Sequence, residues 1–307
     1  MSAHLPVQSS QWHIYMTYYL LSFALWLLSW IPFRLMYILS DFLYYVVYYI
    51  VRYRRAVVRS NLTTAFPGKS RHEIKEIEKG FYRFFVDNIL ESGKLASISK
   101  EEMSRRMVFT NVEAVNASLR EGKSIALYLG HYANWEWCSS MPLCLEKGIV
   151  GAQIYHSLHN KDVDKIILDN RERMGAVCVE MRKTARYVNE VSATGKVCVI
   201  GFITDQSPRL KEVRYFVHFL NHDVPVLVGT EKLVKHYGFD AWFLDISRIR
   251  RGYYEAKFIK MHDAPQSLPD FELTAIYYNM LEQMIRRAPE LYLWSHNRFR
   301  HARHVEA

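Results

Sequence analysis

The sequence lacks the short motifs that mark several large enzyme classes. It contains no G-x-S-x-G turn, no G-x-x-x-x-G-K-[ST] loop and no G-x-G-x-x-G turn, which argues against serine hydrolases and nucleotide-dependent enzymes. Cysteine is scarce, with four residues in 307, and no two of them form a C-x-x-C pair. Zinc-ribbon and thioredoxin-like sites are therefore disfavoured, and we expect buried thiols in a reducing compartment.

A metal centre and a nucleic-acid surface also lack support. The 13 histidines do not form an H-E-x-x-H helix or a comparable ligand set, so we predict no metal site and no bound cofactor. The net charge of +9 favours contact with anionic lipid headgroups, nucleic acid or an acidic carrier protein, and charge alone does not choose among them. A nucleic-acid binder is disfavoured because it would leave a long uncharged run unexplained.

That uncharged run lies near the amino terminus. From Ile14 to Ile31 the sequence carries no charged side chain, and at about 1.5 Å per residue such a helix nearly crosses the hydrocarbon layer of a bilayer. The residues before it, MSAHLPVQSSQWH, include no Lys or Arg. The segment therefore predicts a retained anchor rather than a cleaved signal peptide.

A second apolar stretch, Leu35 to Val51, is interrupted by Asp41 and followed by four arginines at positions 52, 54, 55 and 59. This pattern predicts a helix that lies in or dips into the membrane interface. By the positive-inside rule the basic cluster places the rest of the chain on the cytoplasmic side. The alternative is a buried helical hairpin of a soluble protein. We predict a membrane anchor over residues 1–51 and a catalytic domain over 52–307.

The rest of the chain reads as one α/β domain. After the Pro67-Gly68 turn, residues 71–95 predict an amphipathic helix whose apolar stripe belongs to the core, with members Ile74, Ile77, Phe81, Phe84, Phe85 and Ile89. Beyond it, β-type runs at 125–129, 149–155, 197–203, 225–228, 241–246 and 254–259 alternate with helical stretches. This alternation predicts a mixed, mostly parallel sheet flanked by helices.

One segment concentrates the residues needed for chemistry. The strand 125–129 runs into Gly130-His131-Tyr132-Ala133-Asn134-Trp135-Glu136. Five residues apart on one helix would separate His131 and Glu136 by about 140°. They can meet only if His131 lies in the preceding loop, with Asn134 as the helix cap. An imidazole held by a carboxylate is a general base, so the sequence predicts a dyad in which Glu136 orients His131.

The segment GHYANWE resembles the strand-loop-helix signature of the late acyltransferases of lipid A biosynthesis, a branch of the glycerolipid and lysophospholipid acyltransferase group. Other segments are similar in the same order: RRAVVRSNLTTAFP at 54–67, IYHSLHNKDVDKIILDNRERMGA at 154–176, TDQSP at 204–208 and LYLWSHNRFR at 291–300. The likeness covers nearly all of the chain after the anchor. Two positions depart from the family pattern: Ala133 stands where the family often has Gly, and the Asp-Gln turn continues Ser-Pro-Arg.

The resemblance implies an activity and a set of site residues. It implies transfer of a fatty acyl chain from acyl-carrier protein, or from acyl-coenzyme A, to a hydroxyl of a lipid A precursor at the cytoplasmic face of the bacterial inner membrane. His131 and Glu136 would be catalytic. The positions that it assigns to substrate binding are Asn134, Arg171, Arg173, Asp205, Gln206 and Arg298. Each of the arginines could instead be a solvated surface charge, and Asp205 could simply begin a turn.

Rival functions stay open at this point. The same dyad could acylate a lysophospholipid or an aminolipid, and the fold could persist in a membrane-bound homologue without turnover. A cysteine hydrolase is disfavoured, because neither Cys138 nor Cys144 lies in a recognisable nucleophile setting.

Overall fold

The computed structural model describes residues 23, 26–209, 211 and 213–303. A seven-stranded sheet forms the centre of the described chain, in the order β1-β9-β8-β2-β5-β3-β4. Its strands are β1 (Met107–Thr110), β2 (Ile125–Leu129), β3 (Val150–Tyr155), β4 (Val177–Glu180), β5 (Cys198–Ile203), β8 (Asp240–Arg250) and β9 (Tyr253–Lys260). The remaining strands, β6 (Tyr215–Phe219) and β7 (His222–Val226), form a separate antiparallel hairpin.

The sheet is mixed and mostly parallel. Only the hairpin of β8 and β9 pairs antiparallel within it, and the other five neighbouring pairs are parallel. All five residues of β2 are buried, as expected for a central strand covered on both faces. The predicted fold class is confirmed for the sheet and its flanking helices.

The described helices are α1 (Phe33–Tyr45), α2 (Arg55–Ala65), α3 (Arg71–Gly93), α4 (Lys100–Arg106), α5 (Val112–Arg120), α6 (Lys161–Glu172), α7 (Thr184–Ala193), α8 (Gly229–Tyr237) and α9 (Glu272–Arg287). A π-helical segment, Val46–Val51, continues α1. Short 3-10 segments lie at Lys94–Ala96, Trp135–Leu143, Met181–Lys183, Pro265–Ser267 and Pro289–Leu291. The helix that the sequence predicts after its cap at Asn134 is thus a 3-10 segment, which contains Pro142, a residue without a backbone N–H donor.

Three strands have no counterpart among the predicted β-type runs: β1, β4 and β6. The first two are four residues long and lie at the two edges of the sheet. Short edge strands carry little apolar periodicity, which is the signal from which strands are predicted.

Helix α3 differs from its prediction in one informative way. Its start is confirmed by a capping box, in which Ser70 and Glu73 bind each other's backbone amide. Ile89, however, is 55% exposed, so its assignment to the core stripe is wrong. The buried side of the helix instead includes three carboxylates, Glu78, Asp87 and Glu91, which the apolar pattern could not reveal.

Of the anchor predicted over residues 1–51, residues 1–22, 24 and 25 lie outside the described residues. The segment Phe33–Val51 is long and apolar enough to cross a membrane by length and composition, and 22% of its most apolar window is buried.

One side of this segment packs against the protein through the buried residues Met36, Ser40, Tyr44 and Tyr48. Polar contacts hold the helix there: Ser40 Oγ donates to Asp87 at 2.6 Å, and Arg251 binds Asp41 at 2.8 Å. The division of the chain into an anchor and a catalytic domain at residue 51 stays a prediction. The chain turns just after this residue, where Arg52 and Arg54 both have left-handed backbone conformations.

The turn of the β8–β9 hairpin packs closely on α1. Gly252 has φ +74°, and a Cβ added there would overlap the Tyr37 hydroxyl. Gly238 has a similar φ of +69° but nothing within 4 Å of its added Cβ. The two glycines therefore share a backbone conformation that L-residues avoid, and they differ in steric space.

We expect Gly252→Ala to destabilise the protein by about 1–3 kcal/mol more than Gly238→Ala, because only the first adds overpacking to backbone strain. Thermal or denaturant unfolding of the two variants in detergent measures the difference. Equal losses would show that Tyr37 does not pack against this turn.

Candidate active site

The site lies where β2 and β5 end. These strands pair in parallel with Leu129 opposite Ile203, so their carboxyl ends reach the same edge of the sheet. His131 follows β2 by two residues and Asp205 follows β5 by two. Strand pairing therefore brings together two residues that are 74 positions apart in the sequence.

Asp205 is the carboxylate that holds His131. The Nδ1 atom of His131 lies 2.6 Å from Asp205 Oδ1, and the backbone amide of His131 donates to Asp205 Oδ2 at 3.2 Å. The Asp205 side chain is fully buried, whereas that of His131 is 18% exposed. Asp205 thus fixes the imidazole on its buried side, and the opposite side of the ring is accessible.

A buried arginine lies behind Asp205. Arg298 is 2% exposed and donates from Nη2 to Asp205 Oδ2 at 3.2 Å, with its guanidinium stacked over Tyr292. Burial acts to raise the pKa of Asp205, but the charges of His131 and Arg298 and the hydrogen bonds from His131 outweigh it and hold the pKa below its usual value. Asp205 is therefore ionised at neutral pH.

This charge state determines which nitrogen of His131 carries the proton. An ionised carboxylate at 2.6 Å requires a proton on Nδ1, which leaves the lone pair of Nε2 free to accept. Gln206, an exposed residue, donates from its Nε2 to this lone pair at 3.2 Å. The basic nitrogen of His131 thus faces the accessible side of the site.

Glu136 has a different partner. The sequence predicts that Glu136 accepts a hydrogen bond from His131, but both carboxylate oxygens of Glu136 accept from Arg171, at 2.8 Å and 2.6 Å. Trp135 lies between the two groups: its ring packs edge-on against His131 at 5.4 Å, and its Nε1 donates to Glu136 at 3.2 Å. The described structure therefore contains a His131–Asp205 pair and a Glu136–Arg171 pair side by side, and a catalytic role for Glu136 stays a prediction.

The loop between the two pairs is tightly held. Asn134 is fully buried and caps the 3-10 segment by accepting from the Trp137 amide at 3.1 Å, as the sequence predicts. Ala133 has φ +49°, a left-handed conformation that glycine adopts without strain, which gives a physical reason for the family's glycine there. The amide of Ala133 donates to Leu291 O, and the amide of Leu293 donates to His131 O.

The structure also places the other residues that the sequence assigns to substrate binding. Arg171 and Gln206 lie at the site, as described above. Arg173 Nη1 donates to the Leu95 carbonyl, which ties the end of α6 to the body. Both polar atoms of the Asn134 side chain are used internally. Roles in substrate binding stay predictions for all of these positions, and the contacts of Asn134, Arg173 and Arg298 favour structural roles.

Two residues at the site were missed by sequence reasoning. His296 accepts a hydrogen bond from the Ser207 amide at Nε2, and Glu91 accepts one from Asn134 Nδ2 at 2.8 Å. The only sequence feature that could have indicated His296 is its position in the closing segment 291–300. Nothing in the sequence distinguishes Glu91 from any other acidic residue of an amphipathic helix. No group of three His, Cys, Asp or Glu side chains is arranged for a metal ion within the described ranges.

Comparison with known proteins identifies the family. Residues 7–301 match the sequence profile described as bacterial lipid A biosynthesis acyltransferase. The chain belongs to this family. It is also 23% identical over 274 residues to a lipid A biosynthesis acyltransferase of Haemophilus influenzae, an alignment that covers 89% of this chain and 84% of that protein. The chain is therefore an acyltransferase, which disfavours a homologue without turnover.

His296 makes the stability of this acyltransferase dependent on pH. Burial and the charge of Arg298 lower the pKa of His296 to about 4, and the neutral ring accepts from the Ser207 amide. Because the pKa of His296 in the folded protein lies below its usual value, the contribution of His296 to the free energy of unfolding is fully present above about pH 6.5. This contribution is lost as the pH falls towards 4.

We expect His296→Asn, which stays neutral and can accept from Ser207, to lose less thermal stability than the parent between pH 6.5 and 4. Melting temperatures of both proteins across this range provide the measurement. Parallel curves would mean that His296 is not the group that titrates.

Proposed function

We propose that this acyltransferase moves a fatty acyl chain from acyl-carrier protein to a hydroxyl of a lipid A precursor, with His131 as general base. The observation that carries the proposal is the 2.6 Å contact between His131 Nδ1 and the ionised Asp205. It leaves Nε2 as the proton acceptor and stabilises the imidazolium that forms when Nε2 is protonated.

The reaction needs no covalent enzyme intermediate. Nε2 of His131 takes the proton of the acceptor hydroxyl while the oxygen attacks the thioester carbonyl carbon. The tetrahedral intermediate then expels the thiolate of the donor, and the imidazolium returns the proton to this sulfur. One ester forms, one thioester breaks, and His131 ends neutral.

The Glu136–Arg171 pair supplies a second function. Its two hydrogen bonds hold the guanidinium in one orientation, and both side chains are only 18–19% exposed. A fixed cation beside the base suits the developing charge on the thioester carbonyl, or an acceptor phosphate. We propose that Glu136 contributes to catalysis by positioning Arg171, while Asp205 orients His131.

A polar cavity of about 200 Å³ lies next to the closing segment, and none of the four residues of the two site pairs lines it. Its polar lining residues are Ser60, Asn61, Thr64, His222 and Asn297. Asn61 donates to the carbonyls of Trp294 and His296, so the cavity borders the same closing segment that carries Arg298. For the donor, the net charge of +9 favours the acidic surface of a carrier protein.

The exposed face of α1 supports attachment to the inner membrane from the cytoplasmic side. Large apolar side chains face outwards along it and its continuation: Leu35, Ile38, Phe42, Tyr45, Tyr49 and Ile50. Asp41, the acid within this stretch, is paired with Arg251, which removes the main obstacle to burial in a bilayer. The polar contacts on the opposite face favour a helix that lies in the interface rather than one that spans.

Activity of three site variants and two control variants tests the proposed chemistry. We expect His131→Ala and Asp205→Asn each to lower kcat by about 10²–10⁴-fold, because one removes the base and the other its orientation. Glu136→Gln should lower kcat by a smaller factor than either of these changes. The exposed pair His218 and Asp223, 3.2 Å apart on the β6–β7 hairpin, provides matched controls, since His218→Ala and Asp223→Asn should leave kcat unchanged.

Acyl transfer from lauroyl-carrier protein in detergent provides the measurement, with lipid A precursor, lysophospholipid and aminolipid compared as acceptors. Unimpaired transfer by His131→Ala would overturn the mechanism. A larger loss in Glu136→Gln than in Asp205→Asn would restore the dyad predicted from the sequence. Preference for either of the other acceptors, or for acyl-coenzyme A as donor, would overturn the proposed substrates.

Membrane contact has its own test. Ile249 at the β8–β9 turn is 64% exposed and lies two residues before Arg251, which binds Asp41 of α1. A fluorophore attached to Ile249→Cys should be quenched by brominated lipids in vesicles of phosphatidylethanolamine and phosphatidylglycerol. The same label at Val177→Cys, an exposed position on the opposite edge strand, should not be quenched, and unsubstituted protein corrects for native thiols. Equal quenching at both positions would exclude this orientation.

A further inference from the structure

A buried carboxylate joins α1 to the loop that carries His131. Glu91, near the end of α3, is fully buried and has no cationic partner within hydrogen-bonding distance among the described residues. Its Oε1 accepts from Tyr37 Oη of α1 at 2.8 Å. Its Oε2 accepts from Tyr254 Oη of β9 at 2.7 Å and from Asn134 Nδ2 at 2.8 Å. Three elements distant in sequence thus converge on one side chain.

The backbone of Glu91 adds a fourth contact. Its carbonyl accepts from Trp137 Nε1 at 2.9 Å, and the amide of the same Trp137 donates to Asn134 Oδ1. Glu91 therefore holds the first turn of the 3-10 segment from two sides. Asn134 lies between His131 and Glu136 in the sequence, so any shift of Asn134 moves both site pairs.

The free-energy cost of burying the Glu91 carboxylate indicates that this residue does more than pack in the core. Burial raises the pKa of Glu91 to about 7, against the opposing effect of the hydrogen bonds from Tyr254, Tyr37 and Asn134. An apolar side chain would avoid this penalty. The three donors use both oxygens as acceptors, and a neutral amide, which offers one acceptor atom, would have to reverse or lose one of these hydrogen bonds.

We propose that Glu91 is a positioning residue, which holds the His131 loop through Asn134 and makes its geometry depend on the docked position of α1 through Tyr37. This inference rests on the proposed function of His131 as the general base. Because α1 also presents the apolar face described above, Glu91 would connect the membrane-facing helix to the catalytic loop.

A pair of variants on α1 separates positioning from simple packing. Tyr37→Phe and Ser40→Ala each remove one hydroxyl from the contact between α1 and α3. The Tyr37 hydroxyl binds Glu91, whereas the Ser40 hydroxyl binds Asp87, which keeps Arg251 as a partner. The two changes should cost similar stability, but only the first alters the carboxylate that holds Asn134.

We expect Tyr37→Phe to lower kcat about 10-fold, with KM for the acyl donor unchanged within about 2-fold, and Ser40→Ala to leave both constants near those of the parent. Glu91→Gln should lower kcat further, by about 100-fold, because at least one buried donor loses its acceptor. Melting temperatures measured alongside show whether each variant is folded at the assay temperature.

The outcomes distinguish this inference from the proposed function. Equal kcat values for Tyr37→Phe and Ser40→Ala, with His131→Ala inactive, would overturn the role of Glu91 and leave the mechanism intact. A fully active His131→Ala would overturn the mechanism itself. If Glu91→Gln does not fold, the comparison of Tyr37→Phe with Ser40→Ala still decides, since Glu91 keeps Tyr254 and Asn134 as donors and Asp87 keeps Arg251.

Discussion

Parallel pairing of β2 with β5 is the constraint on which the site depends. The register that sets Leu129 beside Ile203 makes the two following loops start at the same edge of the sheet, and His131 and Asp205 each lie two residues beyond. A shift of one residue in that register would move the side chains of one strand to the opposite face of the sheet. The imidazole of His131 would then be separated from the carboxylate of Asp205. Every later step, from the tautomer of His131 to the role of its Nε2 as an acceptor, follows from this contact.

Helix α3 joins the other parts to this sheet through its buried acids. Glu78 binds Arg55 and Arg59 of α2, Asp87 binds Ser40 and Arg251, and Glu91 binds Tyr37, Tyr254 and Asn134. Unpaired, any of these carboxylates would strongly destabilise the protein, because a buried charge without partners loses its hydration. The contacts are therefore directional, and they orient α1 and α2 more specifically than apolar packing alone would.

The site itself contains two hydrogen-bonded pairs with different surroundings. His131–Asp205 is backed by the fully buried Arg298, whereas Glu136 and Arg171 both remain partly accessible. In the proposed mechanism the base and the stabiliser of carbonyl charge are different groups, and a single carboxylate could not orient both at once. Asp205 and Glu136 each bind one of these two groups.

Much of this protein follows from local sequence. Six of the strands in the structure overlap β-type runs, and the capping roles of Ser70 and Asn134 follow from side chains that act within one turn. His131 and Glu136 stand out because they belong to one short segment, and the local prediction that His131 lies in a loop ahead of a helical turn is confirmed. Periodicity and capping can be read this way because the interacting residues are neighbours along the chain.

The pairing of side chains was decided by the tertiary structure alone. Glu136 is five residues from His131 in the sequence and yet binds Arg171, while Asp205, 74 residues away, holds the imidazole. Glu91 looks like any acid on a helix until α1, β9 and the His131 loop meet around it. Which carboxylate finds which partner depends on strand order and helix docking, and these are settled by burial of the whole core, for which no short segment carries the information.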